Sequence, residues 1–241
     1  MTKAPQEMFF VIADISGYTK FMLTPGMELT HLQGIISDLL NAVLKQIEMP
    51  MAISKFEGDA VFMYAAKDGK HDWEDVKIIL GRKLFAFIEA FDGKLRELAA
   101  ANHCSCASCV GMGNLKLKVL AHYGSALAYE IGGHLELSGV DVIILHRLLK
   151  NQVPSSKYVL LSALAQEQLK IRGEWQKGIE SYPADVGDIA VCWTILEPAQ
   201  IEVKVNRWNV PDLARTARYG VMKMFGRFNS INGLKDIQPG E

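Results

Sequence analysis

Phe9–Thr19, FFVIADISGYT, is the stretch whose reading decides the fold. With Met8 in front of it, the run to Ala13 is apolar at nearly every position. Alternate side chains of a strand point to opposite sides, so such a run is a strand covered on both faces. Asp14 ends it, and Ser16-Gly17-Tyr18-Thr19 opens a helical turn with Ser16 as N-cap. Lys55–Tyr64, KFEGDAVFMY, repeats the idea by setting Asp59 at the mouth of a second apolar strand. Two buried strands that each deliver a carboxylate to one end make the donor set of a divalent-cation site. Mg²⁺ is held by one or two carboxylates plus substrate phosphate oxygens, and a second ion clamps the attacking or leaving oxygen.

Working outward, Leu29, Leu32, Ile35, Ile36, Leu39, Leu40, Val43 and Leu44 recur at helical spacing and predict a long amphipathic helix ending near Pro50. Met51–Phe56 and Ala60–Ala65 flank a Gly58-Asp59 turn and read as a hairpin. A polar loop follows, then a second long helix over Val76–Ala101, then a cysteine-rich loop and a strand over Leu115–Tyr123 that Gly124 breaks. Ala126–Ile131 reads as a short returning strand, Gly139–Lys150 as a helix, and Tyr158–Leu196 as short strands around a helical Ser162–Leu169. The order β-α-β-β-α-β predicts an α+β fold with a ferredoxin-like core, helices on an antiparallel sheet, extended by C-terminal strands.

The 241 residues suit one large domain, here 1–197, with a C-terminal extension over 198–241. That extension interleaves Arg215, Arg218, Lys223 and Arg227 with Tyr219, Met222, Met224 and Phe225, a basic amphipathic pattern. It would pack on its own domain or on a partner subunit, or touch an anionic membrane surface. A formal net charge of −1 argues against a general nucleic-acid binder. No stretch approaches the roughly 18 to 20 apolar residues of a spanning helix, and no cleavable leader is evident. The expectation is a cytoplasmic protein.

Four motifs in order resemble the catalytic domain of class III nucleotidyl cyclases, the adenylate and guanylate cyclases. They are Ala13–Thr19 (ADISGYT), Lys55–Asp59 (KFEGD), Ala121–Gly124 (AHYG), and the helix from Gly139 to Arg147. The resemblance spans roughly residues 8 to 196. It is nearer to a bacterial cyclase-like branch in which a C-x-C-x-x-C cluster precedes the HYG strand and the helix ends in HRLLKN, here Cys104–Cys109 and His146–Asn151.

The resemblance implies that Asp14, Asp59 and the Ile15 carbonyl hold two Mg²⁺ or Mn²⁺ ions. Backbone N–H groups of Ser16, Gly17, Tyr18 and Thr19 would bind phosphate at a helix N-terminus. Lys55 and Glu136 would read the adenine edge, the lysine donating to a ring nitrogen and the glutamate accepting from the amino group. Arg147 would be the catalytic group that stabilises charge on the transferred phosphorus. The implied reaction is ATP to 3′,5′-cyclic AMP and pyrophosphate at a homodimer interface. Two departures favour an alternative, a nucleotide- and metal-binding signalling module without turnover. Ile143 stands where the family has a ribose-orienting asparagine. Asp185-Val186-Gly187-Asp188 stands where a phosphate-binding lysine belongs, and its acidic residues would repel a triphosphate.

His103, Cys104, Cys106 and Cys109 offer an imidazole and three thiols within one loop. Zn²⁺ takes four such ligands, with Cys192 as another source for the fourth. Buried free thiols or a redox-sensitive loop are the other readings. His122, in an apolar strand, reads as a satisfied core histidine rather than a ligand.

Overall fold

The computed structural model describes residues 4–48, 50–196 and 201–205. The first strand, β1 (Gln6–Ser16), runs on past Asp14 for two residues. It is followed by α1 (Tyr18–Met22), α2 (Leu29–Leu44), β2 (Met51–Glu57), β3 (Ala60–Ala66) and α3 (Trp73–Ala100). Then come α4 (Ala107–Gly111), a 3-10 turn, β4 (Lys116–Ile131), β5 (His134–Ser138), α5 (Val140–Leu148), β6 (Tyr158–Ser162), α6 (Ala163–Leu169), β7 (Gln176–Tyr182) and β8 (Gly187–Ile195). The main path through the sheet is β2-β3-β1-β4-β6-β8-β7, with β5 paired to β4 alone. Every neighbouring pair of these strands is antiparallel except β4 with β6. The fold is therefore α+β, with the ferredoxin-like order β4-β1-β3-β2 forming one end of the sheet.

The near-continuous apolar reading of β1 has a direct cause. Phe9, Val11, Ala13 and Ile15 enter one core with α2 and α3, while Met8, Phe10 and Ile12 enter a second core with α5, Phe62 and Leu160. Both faces of the strand are covered. Phe9, Phe10 and Phe62 are essentially fully buried, and truncating such a side chain costs about 3–5 kcal/mol. Asp14 falls on the α5 face, in step with Phe10 and Ile12.

Three local readings are corrected. Ser16 is the last residue of β1, and the N-cap of α1 is Gly17 at φ 88, with no side-chain cap. The helix α3 starts at Trp73, earlier than its apolar stripe, because the Asp72 side chain accepts from the N–H groups of Glu74 and Asp75. Gly124 does not break β4, which is a single 16-residue strand. Its outer part, Leu127–Ile131, pairs with β5, and the glycine serves a close approach described below.

Ile201 and Val203 pack against the α2–α3 core, and the Asn102 side chain donates to the Lys204 carbonyl. The chain divides into units Met1–Lys204 and Val205–Glu241. The basic amphipathic segment from Arg215 to Arg227 lies outside the described residues. Among the described residues, no helix is long and apolar enough to cross a membrane.

Candidate functional site

The two aspartates meet because of strand register. Asp14 of β1 pairs with Ala60 of β3, so Asp59, one residue earlier in the β2–β3 turn, lies beside it. That turn needs its glycine, since Gly58 has φ 66. Burial chiefly, and next the charge of Asp14, push the Asp59 carboxyl up to about 6, against the pull of its own backbone N–H and of Lys118. Burial thus disfavours the charged Asp59 carboxylate more than its backbone N–H and Lys118 relieve it.

Lys118 is the group that sequence reasoning missed. On β4 it is the register partner of Asp14; its Nζ lies 3.0 Å from Asp14 Oδ2 and 3.2 Å from the Leu149 carbonyl at the end of α5. The side chains of Asp14 and Lys118 are only 19% and 17% exposed, so the pair is largely shielded from water. An alternating lysine in an otherwise apolar strand was the available signal, because such a residue needs a partner when its face is covered.

The residues expected to read a base also converge. Lys55 Nζ lies 3.6 Å from Glu136 Oε2 and 3.7 Å from Glu57 Oε1. Glu57 in turn accepts from His146 Nε2 at 3.0 Å, which connects the β2–β3 hairpin to α5. Arg147, one residue on, forms an ion pair of 2.8 Å with Asp185 in the β7–β8 turn. The acidic turn therefore engages the expected catalytic arginine. Ile143 is exposed on α5. Ile15 is buried, and Ser16 to Thr19 lie at the junction of β1 and α1.

The AHYG segment has a structural explanation in this chain. His122 Nε2–H donates to Asp141 Oδ1 at 3.0 Å, and its Nδ1 accepts from the Ser162 hydroxyl at 2.7 Å. Ser162 Oγ also accepts from Ala165 N–H as the cap of α6. Burial lowers the His122 pKa, opposed by Asp141, which favours the neutral ring. Asp141 Oδ2 accepts from Ser125 N–H at 2.7 Å. A Cβ on Gly124 would stand 2.1 Å from Asp141 Cγ, so only glycine lets the carboxylate cross the strand here. The histidine is a buried strut between β4, α5 and α6.

The cysteines gather as well, though not around the expected histidine. The thiols of Cys104, Cys106 and Cys109 cluster with His31 from the first turn of α2, their ligand atoms all within 4.8 Å of one another. His103 is not in the group, and Cys192 is taken up in β8, where it pairs with Leu161. A helix brings in the imidazole from more than 70 residues away in sequence, which no local spacing could reveal.

A family model described as protein of unknown function (DUF2652) matches residues 36–158, just over half of the chain. The chain belongs to this family. The matched span includes Lys55, Asp59, the three clustered cysteines, His122, Glu136 and Arg147, and begins after Asp14 and His31. An uncharacterized protein of Mycobacterium tuberculosis, Rv2561/Rv2562, is 29% identical over 134 residues, which is 56% of this chain and 60% of that protein. This member of the family therefore aligns with about three-fifths of its relative's length.

Solved structures extend the comparison at the level of the fold. The adenylyl cyclase CyaB from P. aeruginosa superposes with a TM-score of 0.61 at 13% identity, over 82% of this chain and 97% of that one. The guanylyl cyclase Cya2 gives 0.58 at 15% identity, over 85% and 100%. A bacterial light-regulated adenylyl cyclase gives 0.56 at 17%, over 83% and 55%. The chain has a cyclase-like fold.

Proposed function

We propose that this chain binds a purine nucleoside triphosphate with Mg²⁺ or Mn²⁺ at the Asp14–Asp59 end of the sheet and converts ATP to 3′,5′-cyclic AMP and pyrophosphate. The observation that carries the reading is the carboxylate pair itself. Asp14 at the end of β1 and Asp59 in the adjoining β2–β3 turn, the latter with its pKa raised by burial and next by Asp14, are a carboxylate donor set at one end of the sheet. Hard carboxylate oxygens suit a hard divalent ion, so the residues fit the group. Asp14 and Asp59 would hold it, with the Ile15 carbonyl as a further oxygen. Bound there, the metal would neutralise triphosphate charge and acidify the ribose 3′-hydroxyl.

The chain's own residues supply the remainder. Lys55 would donate to adenine N1 and Glu136 accept from the 6-amino group; guanine presents the opposite polarity at both atoms. The neighbouring positions of these two side chains support that pairing. The N–H groups of Ser16 to Thr19 would bind phosphate oxygens. Arg147 would leave Asp185 to stabilise charge on the transferred phosphorus. A homodimer would place Arg147 of one copy against the aspartates of the other. The exposed Tyr129, Ile131, Leu135 and Val140 on the β4–β5 hairpin and the start of α5 support a second copy as partner.

Two observations favour a second reading, a nucleotide-binding signalling module without turnover. Arg147 is already paired with Asp185, and Ile143 offers no hydrogen bond to a ribose. Loss of one charge-stabilising donor costs about 10² to 10³ in rate. The deciding experiment incubates the purified chain with ATP and Mn²⁺ and reads cyclic AMP by mass spectrometry. Product that disappears in Asp59→Ala supports the cyclase. ATP binding without product at high protein concentration supports the module, and no binding of either ATP or Mn²⁺ removes both.

A further inference from the structure

We infer that His31, Cys104, Cys106 and Cys109 form a structural zinc site that fastens the start of α2 to the loop after α3. The carboxylate site plays no part in this inference, which rests on four sets of observations. The first is geometry. His31 Nδ1 lies 3.3 Å from Cys106 Sγ, 3.5 Å from Cys109 Sγ and 3.6 Å from Cys104 Sγ. Tetrahedral Zn²⁺ with Zn–S of about 2.3 Å and Zn–N of about 2.0–2.1 Å separates neighbouring N and S ligands by about 3.5 Å. The three observed distances scatter around that value.

The second is hydrogen-bond arithmetic. One imidazole nitrogen has a single lone pair, or a single N–H, to offer. Three sulfurs crowded around that nitrogen exceed what it can satisfy, whereas one cation at their centre satisfies all four atoms. All four cysteines of the chain are free rather than disulfide-bonded, so the crowding is not that of a cross-link. Three thiolates and one imidazole are a standard closed zinc set, with no position left open for substrate.

The third is the support around the ligands. Cys106 N–H donates to Cys104 Sγ at 3.5 Å, and Cys109 N–H donates to Cys106 Sγ at 3.4 Å. Backbone N–H groups aimed at sulfur favour the thiolate form that a metal needs. The buried Asn102 holds the loop on both sides, donating to the Cys104 carbonyl and accepting from Cys104 N–H, each at 3.0 Å.

The fourth is the neighbouring contact between the same two elements. Ser108, fully buried, accepts from Glu28 N–H at 2.9 Å and donates to the Glu28 carbonyl at 3.0 Å. The start of α2 and α4 are thus already docked, and the metal would close the contact alongside. Apolar packing aligns α2 with the sheet, and the ligand set would tie its first turn to the cysteine loop beside the Ser108–Glu28 contact.

The test uses the full chain. Metal analysis of protein purified under reducing conditions is expected to find about one zinc per chain. His31→Ala and Cys106→Ala should lower zinc affinity at least about 100-fold, while His103→Ala and Cys192→Ala should retain the metal. Because a ligand variant can fail to fold, the unaltered chain is also exchanged with Co²⁺ alone. A thiolate-to-cobalt charge-transfer band with the strong visible absorption of a tetrahedral centre is the expected signature. Metal-free protein whose reduced thiols give no such spectrum overturns the site. Retention of zinc in a folded His31→Ala with its loss in His103→Ala overturns the ligand set, and stoichiometric iron in place of zinc overturns the metal.

Discussion

The carboxylate end of the sheet and the thiol cluster beside α2 are both gatherings of metal-ligating side chains, yet they are built in opposite ways. At the first, neighbouring strands bring Asp14 and Asp59 together by register, and an internal cation, Lys118, already answers one of the two charges. At the second, a helix and a loop distant in sequence bring three thiols and an imidazole around one point. A centre meant to exchange ligands needs hard, partly compensated oxygens; a centre meant to hold the fold needs a closed set. The contrast separates a place where chemistry would occur from a place where the chain would be fastened.

The largest expected effect breaks the fastening. Apparent binding free energies of structural zinc run to about 10 kcal/mol or more. If even 3 to 5 kcal/mol of that is expressed in this fold, chelation lowers Tm by about 10 °C. Scanning calorimetry with and without a strong chelator checks this, and an unchanged Tm after proven metal removal would set the two regions on the same footing.

Next, the two aspartates should part company in stability while agreeing in function. Asp14→Ala takes away the carboxylate nearest the shielded Lys118 ammonium and leaves it the Leu149 carbonyl and the weaker pull of Asp59, at a cost of about 3 kcal/mol. Asp59→Asn removes a carboxylate that burial and Asp14 disfavour, so the metal-free variant should be more stable than the parent at pH 7.5. Both should abolish nucleotide-dependent Mn²⁺ binding. Denaturant melts give the sign of each effect; destabilisation of similar size in both would show that Lys118 does not divide the pair.

The Asp59 difference carries its own pH signature. The ordinary carboxyl titrates near 3.8 and the folded one at about 6. Between these values the folded state binds the proton more tightly than the unfolded state, so parent stability falls as pH rises through that window and levels off above it. The advantage of Asp59→Asn should therefore be small at pH 4, grow to about pH 6 and stay constant beyond. An advantage independent of pH would remove the titration as its cause. The smallest effect is at the half-exposed Arg147–Asp185 pair, where Asp185→Ala should alter stability by less than about 1 kcal/mol. If that pair restrains turnover, the same variant should raise cyclic AMP production several-fold.

Much of the scaffold is legible in the sequence. The run from Met8 to Ala13 announced a strand covered twice, and the two cores on its opposite faces are that coverage. The spacing of Leu32, Ile36, Leu39 and Val43 announced α2, and Gly58-Asp59 announced the hairpin. Local errors arose where side-chain signals compete. Ser16 has the chemistry of a cap, but β1 continues through it because its strand pairing with Lys116 persists. Gly124 has the look of a strand breaker, but here the missing Cβ admits Asp141. The site residues show the same division. Asp14 and Asp59 stood out because each is an interruption of an apolar pattern. Lys118 and His31 did not, and the pairing of Arg147 with Asp185 stayed hidden, because their partners come from other elements.

By itself the sequence determined most of the elements, the cyclase-like order in which they follow one another, and the two acidic strand ends, because periodicity and turn chemistry act over a few neighbouring residues. The tertiary structure alone decided that Lys118 sits against Asp14, that Asp185 engages Arg147, and that His31 rather than His103 joins the three thiols. Those are meetings across strand register and helix packing, set by which faces are buried against each other, and a one-dimensional pattern carries no measure of that distance.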